Sequence, residues 1–128
     1  MSEPIYVLGA ARTPIGSFQG ALAKQSAPVL GAHAIKGALA NAGVDADEVN
    51  EVIMGNVVSA GLKQAPARQA MRMADMPDAV GATTLNKVCG SGMKATMMAM
   101  ELIAAGSADT VIAGGMESMS NAPYLLPK

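Results

Sequence analysis

One cysteine, no tryptophan and only three aromatic residues occur among 128 positions. The lone cysteine, Cys89, excludes an internal disulfide framework and any multi-cysteine zinc or iron–sulfur site, and it suits a reducing compartment. Charge is also sparse: 9 Lys and Arg stand against 10 Asp and Glu, a formal net charge of -1. A nucleic-acid or anionic-membrane binder needs a clustered basic surface, which this balance does not supply. No run approaches ~18 uninterrupted apolar residues, so no membrane-spanning helix is expected. The first fourteen residues lack both the basic start and apolar core of a signal peptide and the Ser/Arg-rich amphipathicity of a transit peptide, so a cytoplasmic location is expected.

Apolar residues make up 51% of the chain and the mean hydropathy is +0.30, too hydrophobic for a disordered segment. At this length one domain is expected, burying roughly two-thirds of its unfolded surface. Small side chains dominate, with 25 alanines and 14 glycines, and 11 methionines accompany them. Close helix-on-sheet packing tolerates that composition. With so few bulky side chains, a core shared with another domain or subunit is the expectation.

Ile5 to Ala10 forms an apolar run between Pro4 and Arg12-Thr13-Pro14, which reads as a first strand buried on both faces. Ser26 is placed to cap a helix whose apolar positions Leu30, Ala34, Ile35, Ala38 and Leu39 recur at helical spacing before a stop at Asn41 to Gly43. Val52 to Val58 reads as a second strand. Pro66 opens a short helix that Pro77 must end, and Ala82 to Val88 reads as a third strand. Met93, Met97, Met100 and Ala104 mark one face of a helix from Met93 to Ala105, read as core or interface packing. Thr110 to Ala113 supplies a fourth strand, followed by a loop from Gly114 to Lys128. The βαβαβαβ alternation predicts an α/β fold, a mostly parallel sheet with helices on both faces, and a site at the carboxyl ends of the strands.

Cys89 falls at such an end, between a strand and a helix and flanked by Gly90 and Gly92, a layout that permits a sharp turn and close substrate approach. A helix starting there turns amides and a positive dipole end toward the sulfur, which favours the thiolate, and the Gly90 and Ser91 amides could stabilise an oxyanion. The competing reading is an inert buried thiol acting as a small hydrophobe. The only histidine, His33, is expected in mid-helix and makes a poor base for this nucleophile. Lys87 and Lys94 flank Cys89 and either raise the local positive potential or lie solvated. Glu117, together with Asn86, is a candidate to orient groups near the strand ends; the plain alternative for Glu117 is a loop carboxylate. The phosphate-loop spacing is absent, and no ligand set supports a metal.

The segment Asn86-Lys87-Val88-Cys89-Gly90-Ser91-Gly92-Met93-Lys94 resembles the nucleophile segment of thiolases. Ala10 to Gly16 is similar to that family's N-terminal signature, and Ala113 to Ser120 to its fourth-strand motif, in the same order. Ser120-Asn121-Ala122-Pro123-Tyr124 is most like the acetyl-CoA acetyltransferase, or acetoacetyl-CoA thiolase, type. Ketoacyl synthases also carry a nucleophilic cysteine at a helix start, but the Arg12-Thr13-Pro14 and Gly115-Met116-Glu117 matches favour thiolases.

The resemblance implies that Cys89 attacks an acyl-CoA thioester to form an acetyl-enzyme, that a second acetyl-CoA condenses with it to acetoacetyl-CoA, and that thiolysis is the reverse. It implies coenzyme A thioesters as substrates with no resident cofactor, a role in fatty acid metabolism, and a homo-oligomer, dimer or tetramer. The family's histidines and second cysteine match no residue of this sequence. The resemblance therefore implies residues 1–120 as an N-terminal thiolase-like domain lacking its last strand and 121–128 as the start of the loop region. The rest is either removed by a proteolytic nick, encoded by a split gene or left out of a fragment, and where it is present as a second polypeptide the two are expected to stay associated. Isolated, the chain is expected to be inactive. The alternatives are a 3-ketoacyl-CoA thiolase of broader chain length, and a non-catalytic folding or dimerisation module with an inert Cys89.

Overall fold

The computed structural model describes residues 3–128 as three parallel strands between helices. Helix α1 spans Ala27–Ala42, strand β1 Glu51–Gly55, helix α2 Pro66–Met73, strand β2 Gly81–Leu85, helix α3 Ser91–Ala104 and strand β3 Val111–Gly115. Short 3₁₀ turns occupy Ala46–Glu48 and Met119–Asn121. The strand order is β2-β1-β3, with β1 at the centre and both pairings parallel.

Local chemistry accounts for most boundaries. Ser26 does precede α1, although its side chain makes no capping bond; Pro28 near the helix start needs no N–H partner there. Gly43 ends the helix at φ 65, a left-handed conformation glycine adopts without steric cost, and its N–H donates to Leu39 O. Ala65 before α2 has no side chain able to cap. Thr84 of β2 fills that role instead, its hydroxyl accepting from the Ala67 N–H at 2.9 Å. The expected strands over 52–58 and 82–88 are shorter, because Asn56 to Val58 and Asn86 to Val88 leave the ladder to build the site.

Alternation along β1 separates two layers. Val52 and Met54 join Ile35 of α1 and Ala67, Ala70 and Met71 of α2 in the main core. Gly55, on the opposite face, lies under Ser91 of α3. Ile35, Ile53 and Met71 are the largest fully buried side chains, each contributing about 1.5–3 kcal/mol by leaving water. The buried face of α3 is Ser91, Ala95 and Ala99. The expected methionine stripe points the other way: Met93, Met97 and Met100 are exposed. Of the two expected roles, core packing is excluded for these methionines; the sheet takes the small residues instead, which let the helix come close.

The expected first strand is a second correction. Ile5 to Ala10 makes no ladder, and Val7 is 86% exposed. Asn41 Nδ2 of α1 donates to Ala10 O at 2.8 Å and holds the segment's end. Between residues 5–11 and β3 lies a cavity of about 530 Å³, closed by Ala34, Ile35, Ala38 and Leu39 of α1 and by Thr96, Ala99 and Ile103 of α3. Neighbouring strands must stand about 4.7–4.9 Å apart to bond, so a gap of that volume leaves both the segment and the outer edge of β3 without a ladder partner among the described residues. No helix among them is long and apolar enough to cross a membrane.

Candidate active site

Cys89 sits where β2 has ended and α3 is about to begin, and it is exposed, so it does not pack as a buried small hydrophobe. The turn beneath it is locked from several sides. Asn86 Oδ1 accepts from the Val88 N–H at 2.9 Å. The Ser91 hydroxyl accepts from the Lys87 N–H at 2.8 Å and donates to Val88 O at 2.5 Å. Gly90 N–H donates to Lys87 O, and Ser91 N–H to Val88 O, both at 3.1 Å. Val88 is held at φ 49, a left-handed backbone that a β-branched residue adopts only under strain of order 1–3 kcal/mol. Stored strain of this kind presents the next residue, Cys89, at the tip.

These bonds alter the expected role of Gly90 and Ser91. Both amides are already engaged by carbonyls within the turn, so in this conformation they shape the Cys89 turn and are not free donors. No backbone carbonyl among the described residues accepts from the Gly92 or Met93 N–H of the first helical turn.

Asn86 and Glu117 do stand at the strand ends, but they do different things. Asn86 braces the Cys89 turn directly. Glu117, half-buried just after β3, accepts from the Val57 N–H at 3.0 Å, the Val58 N–H at 3.1 Å and Asn56 Nδ2 at 2.9 Å. Asn56 is buried and also donates to Met116 O at 3.1 Å; its Oδ1 has no partner among the described residues. Asn56 had no sequence signal: it falls inside the expected strand over 52–58. The Asn86 brace had one: an Asx residue two positions before a donor N–H is turn chemistry.

His33 is exposed on α1, in the layer across the sheet from α3, and lines a separate surface cavity of about 400 Å³ with Arg12, Thr13 and Gln25. It is not brought to Cys89. Lys94 reaches along α3 to Glu101 at 3.8 Å, while Lys87 stays exposed in the turn. No group of three His, Cys, Asp or Glu among the described residues is arranged to hold a metal.

The chain as a whole is similar to known proteins. The family described as thiolase, N-terminal domain, matches residues 5–128. Acetyl-CoA acetyltransferase of Schizosaccharomyces pombe is 53% identical over all of this chain, and that of Cupriavidus necator 55% identical over 96% of it. Other relatives are the cytosolic acetyl-CoA acetyltransferase ERG10 of Gibberella zeae and a mitochondrial acetyl-CoA acetyltransferase of Rattus norvegicus, at 52% and 53%. The chain spans about a third of the length of these relatives: 32% for S. pombe and 31% for C. necator. Among solved structures, Acat5 thiolase from Ascaris suum in complex with coenzyme A superposes with a TM-score of 0.94 at 43% identity, over 96% of this chain and 32% of that one. The chain therefore belongs to the thiolase family, through that family's N-terminal domain.

Proposed function

We propose that this chain supplies the acylated cysteine of an acetyl-CoA C-acetyltransferase. The observation that carries the reading is Cys89, exposed on a turn that Asn86 and Ser91 brace and Val88 strains, at the carboxyl end of a parallel sheet. The Cys89 sulfur attacks the thioester carbonyl of acetyl-CoA; the carbon–sulfur bond to coenzyme A breaks, and the acetyl group rests on Cys89 as coenzyme A leaves. A second acetyl-CoA, deprotonated at its α-carbon, then forms the carbon–carbon bond of acetoacetyl-CoA and frees the thiolate. Thiolysis runs these steps backward. Substrates of this class are supported by relatives named acetyl-CoA acetyltransferase and by a similar thiolase solved with coenzyme A.

The resemblance to thiolases implies that a second cysteine removes the α-proton and that histidines assist; Cys89 is the only thiol here and His33 lies on the far side of the sheet, so neither is supplied by these residues. We infer that those groups lie in the part of the relatives' length that this sequence does not cover, in a cytoplasmic dimer or tetramer. The unpaired edge of β3 and the apolar gap beside it support further structure packed there, because exposing them to water is unfavourable. Incubation of the assembly with radiolabelled acetyl-CoA should place one acetyl group on Cys89 and none in the Cys89→Ala variant, while the chain alone forms no acetoacetyl-CoA. An unlabelled Cys89 in the intact, folded assembly would refute the reading.

A further inference from the structure

We propose that Glu117 is a positioning residue for Cys89, acting through the exit loop of β1. The proposal rests on the reading of Cys89 as the acylated nucleophile and concerns what holds it in place. Glu117 has a firm base: Met116 before it is buried in the main core, and the Ser118 hydroxyl after it donates to Gln25 O at 2.8 Å. From there its carboxylate accepts the Val57 and Val58 N–H groups and the Asn56 amide. It thus does for the chain leaving β1 what a further ladder pair would do, after the last one at Gly55 and Gly115.

Two routes lead from that loop to the nucleophile. Asn56 N–H donates to Leu85 O at 3.0 Å, and Leu85 is the last residue of β2 before the Asn86–Cys89 turn. Gly55, one residue before Asn56, lies directly beneath Ser91, whose hydroxyl closes that turn. The height and tilt of the Cys89 turn therefore depend on where β1 ends, and Glu117 holds that end by three hydrogen bonds to one partly buried carboxylate, a strong type of bond. The orientation of Asn56 follows as well. With Met116 O and Glu117 Oε1 both facing it as acceptors, its nitrogen must point to them.

The test is made on the whole protein that carries these residues, comparing Glu117→Gln and Glu117→Ala. The glutamine keeps the length and one acceptor oxygen but turns an NH₂ toward one N–H donor; the alanine removes all three bonds. The rate of Cys89 acetylation should fall about tenfold in Glu117→Ala and about threefold in Glu117→Gln, with KM for acetyl-CoA within twofold of the parent. Amide exchange at Gly90 and Ser91 should accelerate in both variants while Thr83 and Thr84 of β2 keep their protection. Acetylation within twofold of the parent in Glu117→Ala, or a uniform loss of protection across the sheet, overturns the proposal. Should Glu117→Ala fail to fold, Glu117→Gln carries both readouts. If the parent itself takes up no acetyl group, the functional reading fails and the exchange comparison alone decides the positioning role.

Discussion

Replacing Gly55 by alanine is expected to lower stability and slow acetylation of Cys89, although the usual effect of such a change in a strand has the opposite sign. Gly to Ala ordinarily stabilises by about 0.5–1 kcal/mol, because the unfolded chain loses freedom. At Gly55 the added Cβ would fall 2.5 Å from Ser91 Cβ and 2.9 Å from Ser91 C. Carbon atoms in contact sit about 3.5–4.0 Å apart, so the start of α3 must lift by roughly 1 Å. The obstacle includes backbone, with Gly92 N at 3.1 Å, so no rotation of a long side chain relieves it. Overpacking of this kind costs about 1–3 kcal/mol, which leaves a net loss of up to about 2.5 kcal/mol after the gain from the unfolded state. A 1 Å displacement at a reacting group lowers its rate by up to about 100-fold. Urea unfolding and the acetylation rate, both on the assembly, measure the two effects. Gly92→Ala is the contrast: its Cβ meets nothing closer than 3.8 Å, and within a helix it should stabilise by about 0.5–1 kcal/mol. If Gly55→Ala proves as stabilising as Gly92→Ala with an unchanged acetylation rate, the packing argument is wrong.

Two further substitutions probe features the packing argument does not touch. Val88→Gly should not destabilise, since the side chain is 65% exposed and the residue pays about 1–2 kcal/mol for its left-handed backbone; a drop of more than 1 kcal/mol in urea unfolding would show that Val88 is not strained. Thr84→Val should cost about 1–3 kcal/mol because it leaves the N–H of fully buried Ala67 without an acceptor at the start of α2, and an unchanged thermal midpoint would refute the capping role of Thr84.

Local chemistry made much of the fold legible. The β-rich run at Val52 and the caps at Ser26, Gly43 and Pro66 placed elements within a few residues, and the strand-to-helix position of Cys89 followed from its glycine neighbours. Three features were not legible because each depends on a residue distant in sequence. Ile5 to Ala10 has strand composition, yet a strand exists only beside a partner, and the edge of β3 lies across the cavity. The methionines of α3 have helical spacing, which specifies a face but not its direction; the closeness of Gly55 gave the inner side to Ser91, Ala95 and Ala99. Glu117 accepts bonds from residues about 60 positions earlier, a pairing that no local pattern encodes.

The amino-acid sequence by itself thus determined the parallel α/β class and the place of Cys89 between a strand and a helix, which rest on residue types and short-range spacing, and it carried the segments that resemble thiolases. Only the tertiary structure decided which helix face meets the sheet, whether the amides after Cys89 are free or engaged, and what Glu117 holds. Those outcomes depend on distances between segments far apart along the chain, where hydrogen bonding and steric contact act within a few ångströms and spacing along the backbone carries no information.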